Sequence, residues 1–145
     1  MNQHLLSIAT FVAVLFCSMS SAIAQTNPGL NPERIRGQKA SYDAKENTIT
    51  ITATAPSRTE YDWDTYYQDF PLDHISYISI KRHTPGTSWP KEELGRVENP
   101  ELGKEFSYID KDVTADKQYE YSFTVVVDTL QSQESYLQVY TGLTP

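Results

Sequence analysis

The sequence predicts an all-β fold, a single antiparallel sandwich of about seven strands. Three observations lead there. Beyond about residue 35 the apolar residues recur with period two rather than 3.6, the runs that do so are short, and polar or Pro/Gly segments separate them. No stretch of that region carries a convincing helical stripe, and no internal repeat is present.

The N-terminus is the exception to this pattern. Residues 5–17 are apolar except for Ser7 and Thr10, the length of a signal-peptide hydrophobic region and short of the roughly 20 residues of a membrane-spanning helix. Ala22 and Ala24 then supply small side chains at the −3 and −1 positions before Gln25. Residues 1–24 are therefore expected to be a signal peptide cleaved after Ala24, sending the product to the periplasm, the cell envelope or the medium. Phe16 directly before Cys17 argues against lipid attachment at that cysteine. Cleavage would remove the one cysteine of the chain, leaving a domain without disulfide or thiolate chemistry, held by its apolar core alone. No later apolar stretch approaches spanning length.

All 12 Lys/Arg and all 19 Asp/Glu lie beyond residue 24, so the expected mature chain keeps the formal charge of −7. Such a surface is repelled by phosphate backbones, which argues against nucleic acid as a partner. Residues 25–34, with Pro28, Gly29, Asn31 and Pro32, read as an extended leader, and residues 35–145 as the sandwich.

Within the domain, a weaker strand falls near residues 39–42. Residues 49–55 alternate Ile49, Ile51, Ala53 and Ala55 with threonines and stop at Pro56. Residues 75–82 form the next strand, with Ile78 and Ile80 as candidate core positions, and a short one falls near residues 94–97. Phe106 begins another. Residues 119–127 are the strongest, with Tyr119, Tyr121, Phe123, Val125 and Val127 on one face. Residues 136–140 close the domain.

The spacing from Tyr108-Ile109-Asp110 through Val113 to Tyr119-Glu120-Tyr121 resembles one passage in bacterial fibronectin type III modules, where a strand at the sandwich base returns as the next. Ile49 and Ile51 followed by Ala55-Pro56 are similar to the family's second strand, and residues 75–82 to its third. The likeness spans roughly residues 32–141. It implies an immunoglobulin-like (fibronectin type III) sandwich in which Val113 plugs the base of the core. The Tyr119 hydroxyl would then bond back to main chain as a tyrosine corner. The turn between them holds Asp116 where the family has Gly, and Asp tolerates left-handed dihedrals better than most residues. The family's core Trp, three residues before the Pro, is replaced here by Ala53; the aromatics around Phe106 and Tyr119 are expected to fill that space.

Catalytic chemistry finds no support. His74 and His83 flank a strand nine residues apart, so they would face opposite sides, and both are expected to be solvated. Asp110, Asp112 and Asp116 begin like a calcium loop but lack its Gly, and Tyr121 stands where its bidentate Glu belongs. A second acidic set, Asp62, Asp64, Asp69 and Asp73, surrounds the loop after Pro56, where a calcium site is the alternative to plain solvated carboxylates. Arg36-Gly37-Gln38 lacks the carboxylate of an integrin-binding tripeptide. No catalytic residue, cofactor or metal site is expected.

The richest segment is 61–70, where Tyr61, Trp63, Tyr66, Tyr67 and Phe70 interleave with Asp62, Asp64 and Asp69 in an end loop. Rigid amphipathic rings beside hydrogen-bond acceptors suit a protein partner or a sugar. The competing reading folds several of those rings back over the core in place of the missing Trp, with Phe70 and the aliphatic Leu72, on either side of Pro71, expected to do so. Trp89 is either a hairpin-tip contact or a lid over the sheet edge. The candidate binding surface is thus Tyr61, Trp63, Tyr66, Tyr67 and Trp89. The expected function is a non-enzymatic, exported interaction or adhesion module, monomeric, binding an unknown protein; alternatives are a carbohydrate-binding module using the same loop, or a structural spacer.

Overall fold

The computed structural model describes residues 30–60 and 70–142. The expected signal peptide lies outside them. Among the described residues there is no helix, and eight strands form two antiparallel sheets. The first sheet has the order β1 (Arg36–Asp43), β2 (Thr48–Thr54), β5 (Glu105–Asp110). The second runs β4 (Gly95–Glu98), β3 (Tyr77–His83), β6 (Gln118–Val127), and along the far side of β6 lie the two-residue β7 (Leu130–Gln131) and β8 (Ser135–Tyr140).

Alternation decides which face of each strand is dry. On β2, Ile49, Ile51 and Ala53 are buried while the four intervening threonines are half-exposed. Ile78 and Ile80 on β3 and Tyr121, Phe123 and Val125 on β6 face them from the other sheet, all within one hydrophobic cluster. Each fully buried Ile or Phe contributes about 1.5–3 kcal/mol by leaving water, so this two-sided core supplies most of the cohesion. The architecture is a β-sandwich, and with a single cysteine in the chain no internal disulfide supports it. The strand over residues 75–82 begins at Tyr77 rather than Ile75, although Ile75 is buried and the Ser76 N–H still pairs with the Val126 carbonyl.

One side of the sandwich is closed by Tyr108, an inward residue of β5 whose ring lies so close to Gly95 at the start of β4 that a Cβ there would collide with it. The segment before β1 docks as well. Pro32 bridges to Thr59, the Glu33 N–H bonds the Arg58 carbonyl, and Ile35 reaches the core. Residues 57–59 in turn pair with 70–72, and Leu72 packs against the core. Phe70 is half-buried, with its carbonyl accepting the Thr59 N–H.

At the base, Val113 is buried, and the Tyr119 hydroxyl accepts the Thr114 main-chain N–H at 2.9 Å. Asp116, in the turn between them, has φ of +57°, the left-handed region where a Cβ is strained. Asp116→Gly should therefore be neutral or stabilising by up to about 1 kcal/mol, and Asp116→Val, β-branched at the same φ, destabilising by about 1–2 kcal/mol. Chemical denaturation of the two variants checks both signs.

Candidate functional site

Three clusters of polar or aromatic side chains stand out among the described residues, and the sequence had singled out only parts of each. The first lies inside the base of the sandwich. Asp110 ends β5 on an inward position, is 2% exposed, and reaches across to the other sheet. Its Oδ2 accepts hydrogen bonds from Arg82 Nη1 of β3 and from the Tyr121 hydroxyl of β6, both at 2.7 Å. Its Oδ1 accepts the Asp112 N–H at 3.1 Å, and Arg82 also donates to the Asp112 carbonyl at 2.8 Å. Arg82 lies over the Tyr119 ring, 5.4 Å from its centroid. Burial, and then the hydrogen bond to Asp110, push the Tyr121 phenol far above its ordinary value, so it stays neutral and donates. Asp110, which opens the calcium-like Asp-x-Asp spacing in the sequence, is thus a core residue, and it clasps the two sheets together.

The second cluster joins His74 to two carboxylates. Its Nδ1 is 2.7 Å from Asp73 Oδ1 and its Nε2 3.1 Å from Asp128 Oδ1. Only the imidazolium can donate to both, so these hydrogen bonds, that to Asp73 first, raise the His74 pKa above 6.5, and the same contact holds Asp73 below its usual value. A raised histidine pKa means that its contribution to stability is complete below pH 6.5 and is lost as the pH rises through the higher folded value. All three side chains are more than a third exposed, so the effect is small, about 0.5 kcal/mol or less. The melting temperature should therefore fall slightly from mildly acidic to mildly alkaline pH, and His74→Gln should flatten that slope.

The third cluster covers the outer face of the larger sheet. After β3, Thr84-Pro85-Gly86-Thr87 turns the chain back: Gly86 has φ of +90°, and Thr87 donates to the Thr84 carbonyl through both its N–H and its hydroxyl. Trp89 is thereby laid on the sheet. Its ring centroid is 3.6 Å from that of His83 on β3 and 5.8 Å from that of Tyr136 on β8, so it bridges over β6 between them. Beneath this bridge Ser122, an outward residue of β6, is only 1% exposed.

His83 is consequently not solvated as the sequence suggested. Its side chain is 7% exposed, its Nε2 faces Glu120 Oε2 at 3.6 Å, and among the described residues its Nδ1 has no hydrogen-bond partner. The physical reason is the turn, which folds a large ring onto a position that an isolated strand would leave open. Tyr136 and Tyr140 extend the same face and are about half-exposed. At its other side Arg96 stacks over Tyr77 at 3.9 Å and pairs with Glu93.

Of the sequence-predicted binding residues, Trp89 belongs to this face, while Tyr61, Trp63, Tyr66 and Tyr67 lie outside the described residues. Tyr136 was not singled out as a contact residue, although its outward place in the last strand follows from the alternation. Among the described residues, no group of three or more His, Cys, Asp or Glu is placed to hold a metal ion. No described helix is long and apolar enough to cross a membrane. The fold and these clusters define a β-sandwich with a buried polar clasp and one aromatic sheet face. In comparisons with known proteins, the sequence matches no protein-family model and no curated protein.

Proposed function

We propose that the chain is an exported, non-enzymatic interaction module of fibronectin type III type, binding a protein partner through an aromatic surface. The observation that carries this reading is the placement of Trp89 across the outer sheet face with Tyr136 and Tyr140 beside it. Large rigid rings with polar tips give contact area at low entropic cost. The family reading draws support from β4, which pairs with β3 rather than β5, unlike the immunoglobulin constant arrangement, and from the Thr114–Tyr119 corner. Export draws support from the sequence of residues 1–24. The buried ionisable groups at the base satisfy one another, as structural groups do, instead of presenting a reactive atom to a cleft.

The test compares binding to the producing cell's own envelope and medium proteins by the intact protein and by Trp89→Ala and the combined Tyr61, Trp63, Tyr66 and Tyr67→Ala variant. A partner retained by the intact protein and lost from variants that still fold supports the proposal. Loss of folding in the loop variant would instead assign those four rings to the core.

A second reading, carbohydrate binding, is favoured by the exposure of Tyr136 and Tyr140 on one flat strand, where rings can stack on sugar faces. Affinity electrophoresis over a panel of polysaccharides decides it, since a sugar-binding face retards migration and Tyr136→Ala should abolish the retardation. No binding in either assay leaves the spacer reading.

A further inference from the structure

Among the described residues four strands form the lateral edges of the two sheets apart from the short β7, and three of them are blunted. β1 carries a bulge between Arg36 and Lys39 and the charges of Lys39 and Asp43. β4 has four residues, two of them Arg96 and Glu98. β5 carries Glu105 and Asp110. Such devices keep an unpaired edge from recruiting another strand. The fourth edge, β8, has none of them: Ser135-Tyr136-Leu137-Gln138-Val139-Tyr140 is regular, uncharged and free of proline.

The free backbone groups of β8 can be assigned. The Thr141 N–H bonds the Lys117 carbonyl across to the β6 side, so the odd-numbered residues of this strand face β6. Tyr136, Gln138 and Tyr140 therefore turn their N–H and C=O groups to the open edge. The Tyr136 carbonyl, reached from β1 by Gln38 Nε2 at 3.2 Å, agrees with this parity. The neighbouring β1 runs beside this edge and touches it through Gln38, but makes no strand pairing with it, and a groove of about 560 Å³ lined by Ile35, Gln38, Ser135 and Tyr136 opens at its start.

From this we infer that β8 pairs antiparallel with β8 of a second copy of the chain, about a two-fold axis at Gln138. The sequence around that axis is palindromic in chemical character: Ser135 meets Thr141, Tyr136 meets Tyr140, Leu137 meets Val139, and Gln138 meets itself. On the outer face this gives two Tyr–Tyr pairs flanking a Gln–Gln pair, and on the inner face two aliphatic pairs, with no like charges opposed. The axis also has the required parity, since Gln138 is a residue whose backbone faces the edge. Two copies exchange N–H···O bonds between Tyr136 and Tyr140 and between the two Gln138 residues, after Gln38 releases the Tyr136 carbonyl. The result is one continuous sheet running through both molecules, with the closed symmetry of an isologous dimer rather than an open chain.

Sedimentation equilibrium of the intact protein tests this. The expected result is a reversible monomer–dimer equilibrium that strengthens with added salt, because each copy carries a formal charge of −7 and the repulsion is screened. Gln138→Lys puts two like charges on the axis and should raise the dissociation constant about tenfold or more. Gln138 is exposed, so the variant should keep the far-ultraviolet circular dichroism and dilute-solution melting temperature of the parent. Gln138→Glu serves as a second probe of the same axis should the lysine disturb folding. A single monomeric mass at every concentration and salt would overturn the inference, as would a dimer indifferent to both substitutions. Open-ended aggregation without a closed dimer would overturn it too.

Discussion

Asp110→Ala should destabilise the protein by about 3–5 kcal/mol, a large part of the stability of a domain this size. The carboxylate is 2% exposed and accepts three hydrogen bonds, from Arg82, Tyr121 and the Asp112 N–H. Its removal leaves the guanidinium with only the exposed Asp112 carboxylate, 3.6 Å away, as counter-charge, and a wholly buried phenol without an acceptor, and those desolvation penalties dominate the loss. Asp110→Asn keeps the shape but presents an amide where donors already point, and about 1–3 kcal/mol should be lost. Tyr121→Phe alone should cost about 1–2 kcal/mol, since Asp110 keeps its Arg82 bond. The decisive variant combines Asp110→Leu, Arg82→Met and Tyr121→Phe, which removes every member of the clasp together. If the clasp is a balanced polar network, this triple variant should recover most of the stability lost by Asp110→Ala. Urea denaturation of the series measures it, and additive losses would show that the three groups do not act as a unit.

The clasp also shows where the sequence was legible and where it was not. Every expected strand is present, because each carries a two-residue period that only a sheet with one dry face rewards. The inward faces of β2, β3 and β6 could be read in advance for the same reason: Ile49, Ile51, Ile78, Ile80, Tyr121 and Phe123 are all buried. Asp110 could not be read that way, since a carboxylate signals solvent until its partners are known, and those lie on β3 and β6, remote in sequence. One signal was available, namely that Asp110 follows Phe106 and Tyr108 at even spacing and so belongs to the inward set. His83 was misread for a complementary reason. Its exposure depends on the turn at Gly86 returning Trp89 to the sheet, a contact that strand periodicity does not encode. The two-residue β7 is too short to leave any periodic signal.

Phe106→Ala carries the other large effect, an expected loss of about 3–5 kcal/mol. Phe106 lies directly across from Ala53 in the β2–β5 register, on the same inward face, and both belong to the buried cluster. In the family that the sequence resembles, the position of Ala53 holds a Trp; here a small residue faces a large one, the complementary volumes that close-packed cores require. Truncating Phe106 leaves Ala53 as its cross-strand neighbour, too small to fill the void. Ala53→Trp in the intact core should be destabilising for the opposite reason, by about 1–3 kcal/mol or more, because the indole would have to displace the Phe106 ring. If these two positions share one volume, Ala53→Trp combined with Phe106→Ala should be clearly more stable than the sum of the single losses predicts, with a coupling of about 1–3 kcal/mol. Thermal and urea unfolding of the four proteins close this cycle. Strict additivity would mean that the space over Ala53 is filled from elsewhere, with Phe123 and Tyr121 on the facing sheet the next residues to truncate.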